Sequence, residues 1–471
     1  MNLPLFSEFS PVSKKIWKQQ TIKDLKGKDF EATLLWNTPE GMLVEPYYSA
    51  EDLVDERISE VQACQTKNAG WFNQSKVEVG DEKVTNLQLK ALLQKGVDAL
   101  TLDLSKKEKI DLAKVLDGIK LSETPVFFQT GGREAATVSE LLRFIPYQMK
   151  GGLTDDCLAH WAQTGEQSET YFEELADCIR QTQASPQFRT VCVSSHAFHN
   201  AGANIAQELA FTLSSAVTYL DKLTDEGLTV EEIFPKVYFS LSIGINYFLE
   251  IAKLRALRYL WEKIRLQFLG FELTQNGKSA TERRYERANG YIHAHTSTFY
   301  DAATTPDTNM LRATTEAMSA VMGGCDALTV HAYDAVFQKT DEFSERIARN
   351  ISVLLKGESY LDKTIDPAAG SYYLENLTLQ LADAAWELFL AIEEKGGFMR
   401  AIAQNFIQDA IEENFQQTLK TLEEGKRVMV GVNKFRFDDG TVVTPPAIDK
   451  NSIQSAFKLL TNRRIAQSFE R

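Results

Sequence analysis

Leu100-Thr101-Leu102-Asp103-Leu104 is the stretch on which the fold turns. It is short and apolar at alternate and adjacent positions, and the charged run Ser105-Lys106-Lys107-Glu108-Lys109 follows it directly. Such a segment suits a strand buried on both faces, as parallel sheets require. Thr190-Val191-Cys192-Val193 has the same texture. Outward from these two, the pattern predicts strands at 76–79, 98–104, 126–130, 151–155, 189–196, 236–243, 291–297 and 327–333. Helical periods fall between them, at 106–119, 203–223, 247–268, 310–322 and 343–355. About eight strand-then-helix units predict an α/β chain folded as a (β/α)8 TIM barrel. A doubly wound sheet is the alternative, but no Gly-rich dinucleotide turn follows any early strand.

The flanks read differently. Residues 1–70 are helical and turn-like, with Trp17, Leu25, Phe30 and Trp36 spaced as anchors. Both a subunit-contact arm and a plain surface extension fit that pattern. The barrel is assigned to 71–400. Residues 401–471 are expected to form a helical and linker extension. In it a helix runs on to Glu424, a β-like segment covers 427–437, Pro445-Pro446 follows, and a last basic helix ends at Arg471.

Composition narrows the function. Of the 471 residues, 44% are hydrophobic and 25% charged, which is globular and excludes disorder or a fibrous repeat as the main state. Lys+Arg number 51 against 65 Asp+Glu, a net charge of −14 with no basic run, so nucleic acid is not expected as a partner. The longest uncharged apolar stretch, Val237 to Leu249, falls short of the roughly 20 residues that span a bilayer, and no membrane association is expected. Met1 to Ser10 has no secretory pattern, and five scattered cysteines without a CxxC pair read as reduced thiols. The expected location is cytoplasmic.

Chemistry is sought first at the histidines. Five of six fall at or just after predicted strand ends: His196, His199, His293, His295 and His331. In a barrel those ends build the mouth, so the five are candidates for one pocket. Neutral imidazoles there can donate to a carbonyl, shuttle protons or bind a metal. His293 and His295 share a face, yet no HExxH helix or clear carboxylate partner accompanies them, and no metal is expected. The plain structural reading is that all five are hydrogen-bonded polar fillers. Ser194-Ser195-His196 invites a hydrolase reading, but there is no GxSxG elbow and neighbours on a strand point to opposite faces. Gly131-Gly132-Arg133 is a candidate phosphate or CoA contact at a helix start, with Arg133 as partner. Gly323-Gly324 reads as a helix stop.

Longer blocks carry a resemblance. Trp36-Asn37-Thr38-Pro39-Glu40-Gly41 with Pro46-Tyr47-Tyr48 is similar to the opening of methylmalonyl-CoA mutase chains. So are Asn309-Met310-Leu311-Arg312, Asp341-Glu342-Phe343-Ser344, Arg346-Ile347-Ala348-Arg349-Asn350, Ile365-Asp366-Pro367-Ala368-Ala369-Gly370-Ser371-Tyr372-Tyr373 and Gly431-Val432-Asn433-Lys434. The resemblance implies a barrel that binds acyl-CoA along its axis, with adenosylcobalamin over the mouth held by a separate carboxyl-terminal domain. Radical chemistry then moves the thioester carbonyl between carbons.

Three departures accompany it. No Asp-x-His-x-x-Gly cobalamin motif occurs, and the expectation is that no cobalamin-binding domain is present. Where catalytic members carry an Arg-Gly-Pro-Tyr-rich segment with a substrate tyrosine, this chain reads Asn68-Ala69-Gly70-Trp71-Phe72-Asn73-Gln74. Their thioester-binding histidine falls on Ala197, and the tyrosine beside it on His196. Loss of one positioned donor of that kind costs on the order of 3 kcal/mol of transition-state stabilisation. The chain thus resembles the small, non-catalytic subunit of heterodimeric methylmalonyl-CoA mutases. That implies no catalytic residues of its own, no cofactor bound alone, adenosylcobalamin on the partner subunit, and a large catalytic mutase subunit as partner. A homodimer is open for the isolated chain. Two alternatives stay open: a barrel-only catalytic subunit using a separately encoded cobalamin domain, and an acyl-CoA-binding regulatory module.

Overall fold

A computed structural model of the protein describes residues 12–53, 55–270, 290–436 and 455–470. Eight parallel strands form a ring: β1 (Phe72–Glu78), β2 (Ala99–Asp103), β3 (Val126–Gln129), β4 (Gly151–Leu153), β5 in two pieces (Phe188–Arg189 and Val191–Ser194), β6 (Val237–Ile243), β7 (Tyr291–Thr296) and β8 (Ala327–Thr329). The first piece of β5 pairs with β4 and the second with β6, so the sheet closes on itself. This is the (β/α)8 barrel, and closure removes the doubly wound alternative. The ring is thin at two junctions, between β8 and β1, where only Ala327↔Phe72 and Leu328↔Asn73 are in register, and between β4 and the first piece of β5, also two pairs, whereas β6 and β7 match over six.

Alternation sorts the side chains. Leu100, Leu102, Val191, Val193, Phe239 and Leu241 point outward and are buried under the helices. The helices Ile205–Asp225, Tyr247–Phe268 and Tyr372–Glu394 pack on one another and carry the larger share of that core. Strand β4 is short because it is squeezed. A Cβ on Gly151 would stand 1.9 Å from the Val126 carbonyl oxygen, and one on Gly152 1.9 Å from that of Arg189, so no other residue fits either place.

Several expectations need correction. The helix predicted over 106–119 is only Leu112–Val115. Lys106 and Lys107 reach Glu78 and Glu82 instead, and Asp111 caps the short helix through the Lys114 amide. The strand predicted to run through His196 ends at Ser194, and His196–His199 is a short helix. Strand β8 stops at Thr329 instead of residue 333. The 427–437 segment contributes a single bridge, Val430↔Lys434. No basic helix closes the described chain. Residues Ile465–Phe469 make a 3-10 turn, because the preceding amides of Leu460, Arg463 and Ile465 donate to Ala162, Asn200 and Phe299 on the barrel. Pro445-Pro446 lies outside the described residues.

The amino-terminal region holds helices Lys14–Asp24, Phe30–Leu34 and Arg57–Ala63 and a small ribbon, Trp36–Asn37 with Leu43–Val44. Trp17 packs on Tyr47 at 4.8 Å between ring centroids, and Phe30 is buried. Trp36, by contrast, is 42% exposed. Among the described residues no helix is long and apolar enough to cross a membrane. Cys157, Cys178, Cys192 and Cys325 form no disulfide among the described residues.

Candidate functional site

The lumen of the barrel has two halves of opposite character. At the amino ends of the strands, the inward side chains Phe127, Cys192, Tyr238, Tyr291 and Ala327 form one buried cluster. The ring of Phe127 lies 5.4 Å from Tyr238 and 6.1 Å from Tyr291, and Tyr238 lies 6.1 Å from Tyr291, distances of direct aromatic packing. The Arg189 guanidinium stacks 4.2 Å from the Tyr291 ring centre, and the Tyr238 hydroxyl donates to the Leu153 carbonyl at 2.8 Å. Below this layer Lys236 donates to the carbonyls of Thr182, Ser185 and Phe188 at 2.7, 2.9 and 3.1 Å. Burial lowers its pKa to about 8. Aromatic rings and backbone-tied cations thus floor the barrel.

At the carboxyl ends a cavity of about 500 Å³ opens. Four of the five expected histidines line it: His196, His293, His295 and His331. They form a chain of contacts. His196 meets Ser242 Oγ through Nδ1 at 2.6 Å and Ser240 Oγ through Nε2 at 2.9 Å. His295 Nε2 lies 3.2 Å from both Ser240 Oγ and His293 Nδ1, and His293 Nε2 lies 2.8 Å from Thr329 Oγ1. Burial holds His196 and His293 down to about 3, with neighbouring imidazoles adding to it. Burial and Lys76 hold His331 down to about 4, and His295 is also lowered. All four are neutral near pH 7, able to donate or accept but carrying no charge. Lys76 enters the same space, 2.6 Å from Gln129 Oε1 and 3.0 Å from Asp103.

His199 stands apart. The short helix turns it away from the lumen into a buried network, where Nδ1 is 3.1 Å from Glu208 and Nε2 2.7 Å from Ser297 Oγ. Lys253 completes that network, 3.1 Å from Glu208 and 2.6 Å from Glu250. Burial alone would raise the Glu208 pKa, but Lys253 and His199 hold it below the ordinary carboxylate range. Ser195 donates to Glu208 at 2.5 Å, while His196 bonds Ser240 and Ser242, so the pair does not form a nucleophile and base. Ala197, 3% exposed, contributes only a methyl to the core.

Arg133 is engaged by its own protein. Its guanidinium donates to the carbonyls of Thr130, Lys107, Glu108 and Leu104. The amides of Thr130 and Gly131 donate to Asp155 at 2.7 and 2.9 Å, so a carboxylate of the chain sits where a phosphate was expected. Among the described residues no group of three His, Cys, Asp or Glu could hold a metal ion. The aromatic floor and the Glu208–Lys253 network were not anticipated from the sequence. Their signals were Phe127, Tyr238 and Tyr291 near the starts of their strands, and charges within the apolar helix that carries Lys253.

The matched blocks also have structural work. Arg255 forks onto Asp366 at 3.0 and 3.1 Å and onto Glu375 at 2.9 Å, tying the Asp366-Pro367-Ala368-Ala369-Gly370 loop to the central helices. A family model described as methylmalonyl-CoA mutase matches residues 104–468. The methylmalonyl-CoA mutase small subunit of Porphyromonas gingivalis is 35% identical, over 92% of this chain and 71% of that protein. The small subunit of Streptomyces virginiae is 32% identical over 92% of this chain and 72% of that one. The large subunit from Streptomyces virginiae is 28% identical over 92% of this chain and 64% of its own length. On the family match, the two small-subunit relatives and the closed barrel, the chain belongs to the methylmalonyl-CoA mutase family.

Proposed function

We propose that this chain is the non-catalytic small subunit of an adenosylcobalamin-dependent methylmalonyl-CoA mutase, paired as a heterodimer with a large subunit that carries the cobalamin and performs the interconversion of methylmalonyl-CoA and succinyl-CoA. The observation that carries the reading is the floor. An acyl-CoA lying along the axis would have to pass through the space that Phe127, Tyr238 and Tyr291 fill. Those rings are held by packing, by Arg189 and by the Tyr238–Leu153 hydrogen bond. The lumen therefore does not fit an extended CoA chain.

The mouth supports the same reading. Ala197 has no group to polarise a thioester. His196, the nearest imidazole in sequence, has both ring nitrogens on serine hydroxyls. Nor does the donor set reproduce the Asp-x-His-x-x-Gly cobalt-ligand pattern: His293 is likewise engaged, His199 is buried against Glu208, and His331, whose ring nitrogens are unpartnered among the described residues, has Thr329 where the pattern has its aspartate. The chain's role is to present a rigid barrel to the large subunit. In the proposed complex the exposed Trp36 and neighbouring Leu43 and Tyr47 of the amino-terminal region supply apolar contact.

The test is co-expression with a large subunit. The pair is expected to co-purify and turn over methylmalonyl-CoA, while the small chain alone with added adenosylcobalamin does not. Turnover by the small chain alone, or failure of the two chains to associate, defeats the proposal.

A further inference from the structure

Buried arginines in this protein come with partners, and one does not. Arg255 has Asp366 and Glu375, Arg258 has Asp326, Arg265 has Glu262, and Arg312 has Asn309 and the Val430 carbonyl. Arg349 is only 9% exposed, and among the described residues no ion pair or side-chain hydrogen bond engages it. Its Nε is enclosed with no partner. Its two terminal nitrogens are not enclosed and open onto a cavity, where an entering anion would supply the counter-charge that the other buried arginines find within the chain.

Arg349 lines the same cavity as the mouth histidines. That cavity is bounded by both faces of β1, by inward Gln74 and Lys76 and by outward Ser75 and Val77. It therefore passes through the barrel wall at the β8–β1 seam, where the ladder is only two residue pairs long. Inside, the His331 ring nitrogens have no partner among the described residues, and Gln74 Oε1 is enclosed without one.

We propose that this seam cavity binds a small organic carboxylate, anchored by the Arg349 guanidinium and entering from the side of the barrel. Its planar fork matches a carboxylate in a two-point contact. The aromatic floor limits the ligand to a small molecule, since the lumen ends there. Glu345, one turn earlier on the same helix, also lines the cavity and disfavours a doubly charged phosphate. The proposal stands independently of the subunit role.

The experiment is calorimetry and thermal denaturation of the full chain with acetate, propionate and inorganic phosphate, each against sodium chloride at matched ionic strength. Saturable binding and a rise in Tm are expected with acetate or propionate. Affinity is expected to fall roughly tenfold or more in Arg349→Met and less in Arg349→Lys. Should Arg349→Met not fold, Ala335→Trp on the exposed rim of the cavity is expected to abolish binding with the ligand-free Tm retained. Three results overturn the proposal: no saturable carboxylate binding by the wild type, binding unchanged in the folded variants, or phosphate binding as well as the carboxylates.

Discussion

The floor and the mouth of one barrel are built on opposite principles. The floor is rings packed on rings, with the Tyr238 hydroxyl and Lys236 ammonium tied to backbone carbonyls and the Tyr291 hydroxyl enclosed without a partner among the described residues. The mouth is imidazoles, hydroxyls and an ammonium around open space, and its outer wall is a buried ion network. Inward positions on the same eight strands thus serve both ends, and only residue type separates a plug from a pocket. A channel along the axis needs both halves open. This chain keeps one.

Substitutions test that contrast in descending order. The wall network is expected to be the most sensitive element. Lys253→Met leaves Glu208 and Glu250 facing each other without their cation, and is expected to destabilise the chain by about 4 kcal/mol in chemical denaturation. A loss under 1 kcal/mol would show that the network is not what supports the mouth. Next is the floor. Phe127→Ala is expected to cost about 3 kcal/mol, because a ring in contact with Tyr238 and Tyr291 leaves a void there.

The mouth itself should register as acid sensitivity. In the unfolded chain a histidine takes up its proton near pH 6.5, whereas folded His293 resists until about 3. Between those values the unfolded state holds more protons, so stability falls as pH drops, by at most about 1.4 kcal/mol per pH unit for each such histidine. Buried carboxylates such as Glu134, raised to about 7 by burial and by Asp155, act in the opposite sense, so the readout is a difference. Between pH 6.5 and 5.0 the wild type is expected to lose more stability than His293→Gln, by about 2 kcal/mol at most. Parallel pH profiles would contradict the neutral-imidazole description. The smallest effect belongs to the arm. Trp36→Ala is expected to change the stability of the isolated chain by less than about 0.5 kcal/mol, while weakening its capture by a large subunit.

How far the sequence disclosed all this depends on which force dominates each segment. Strands such as Leu100–Leu104 and Val191–Val193 were legible because burial on both faces leaves an apolar run. The helix expected over 106–119 failed because Lys106 and Lys107 turn back to Glu78 and Glu82 and Asp111 caps a helix that begins only at Leu112. At the mouth, four histidines could be placed together because strand ends converge in a barrel. His199 could not be separated from them, since its direction depends on a four-residue helix that no periodicity marks. The floor stayed hidden because Phe127, Tyr238 and Tyr291 are ordinary strand residues until register brings them to one level. Arg349 sits inside a family-like block and gave no sign of lacking a partner.

The most direct measurement is acyl-CoA binding and turnover by the purified chain with adenosylcobalamin added, beside the same assay on the complex with a large subunit. The plugged floor predicts no methylmalonyl-CoA binding and no succinyl-CoA formed by the chain alone, with activity only in the complex. Saturable methylmalonyl-CoA binding with turnover by the chain alone would contradict it.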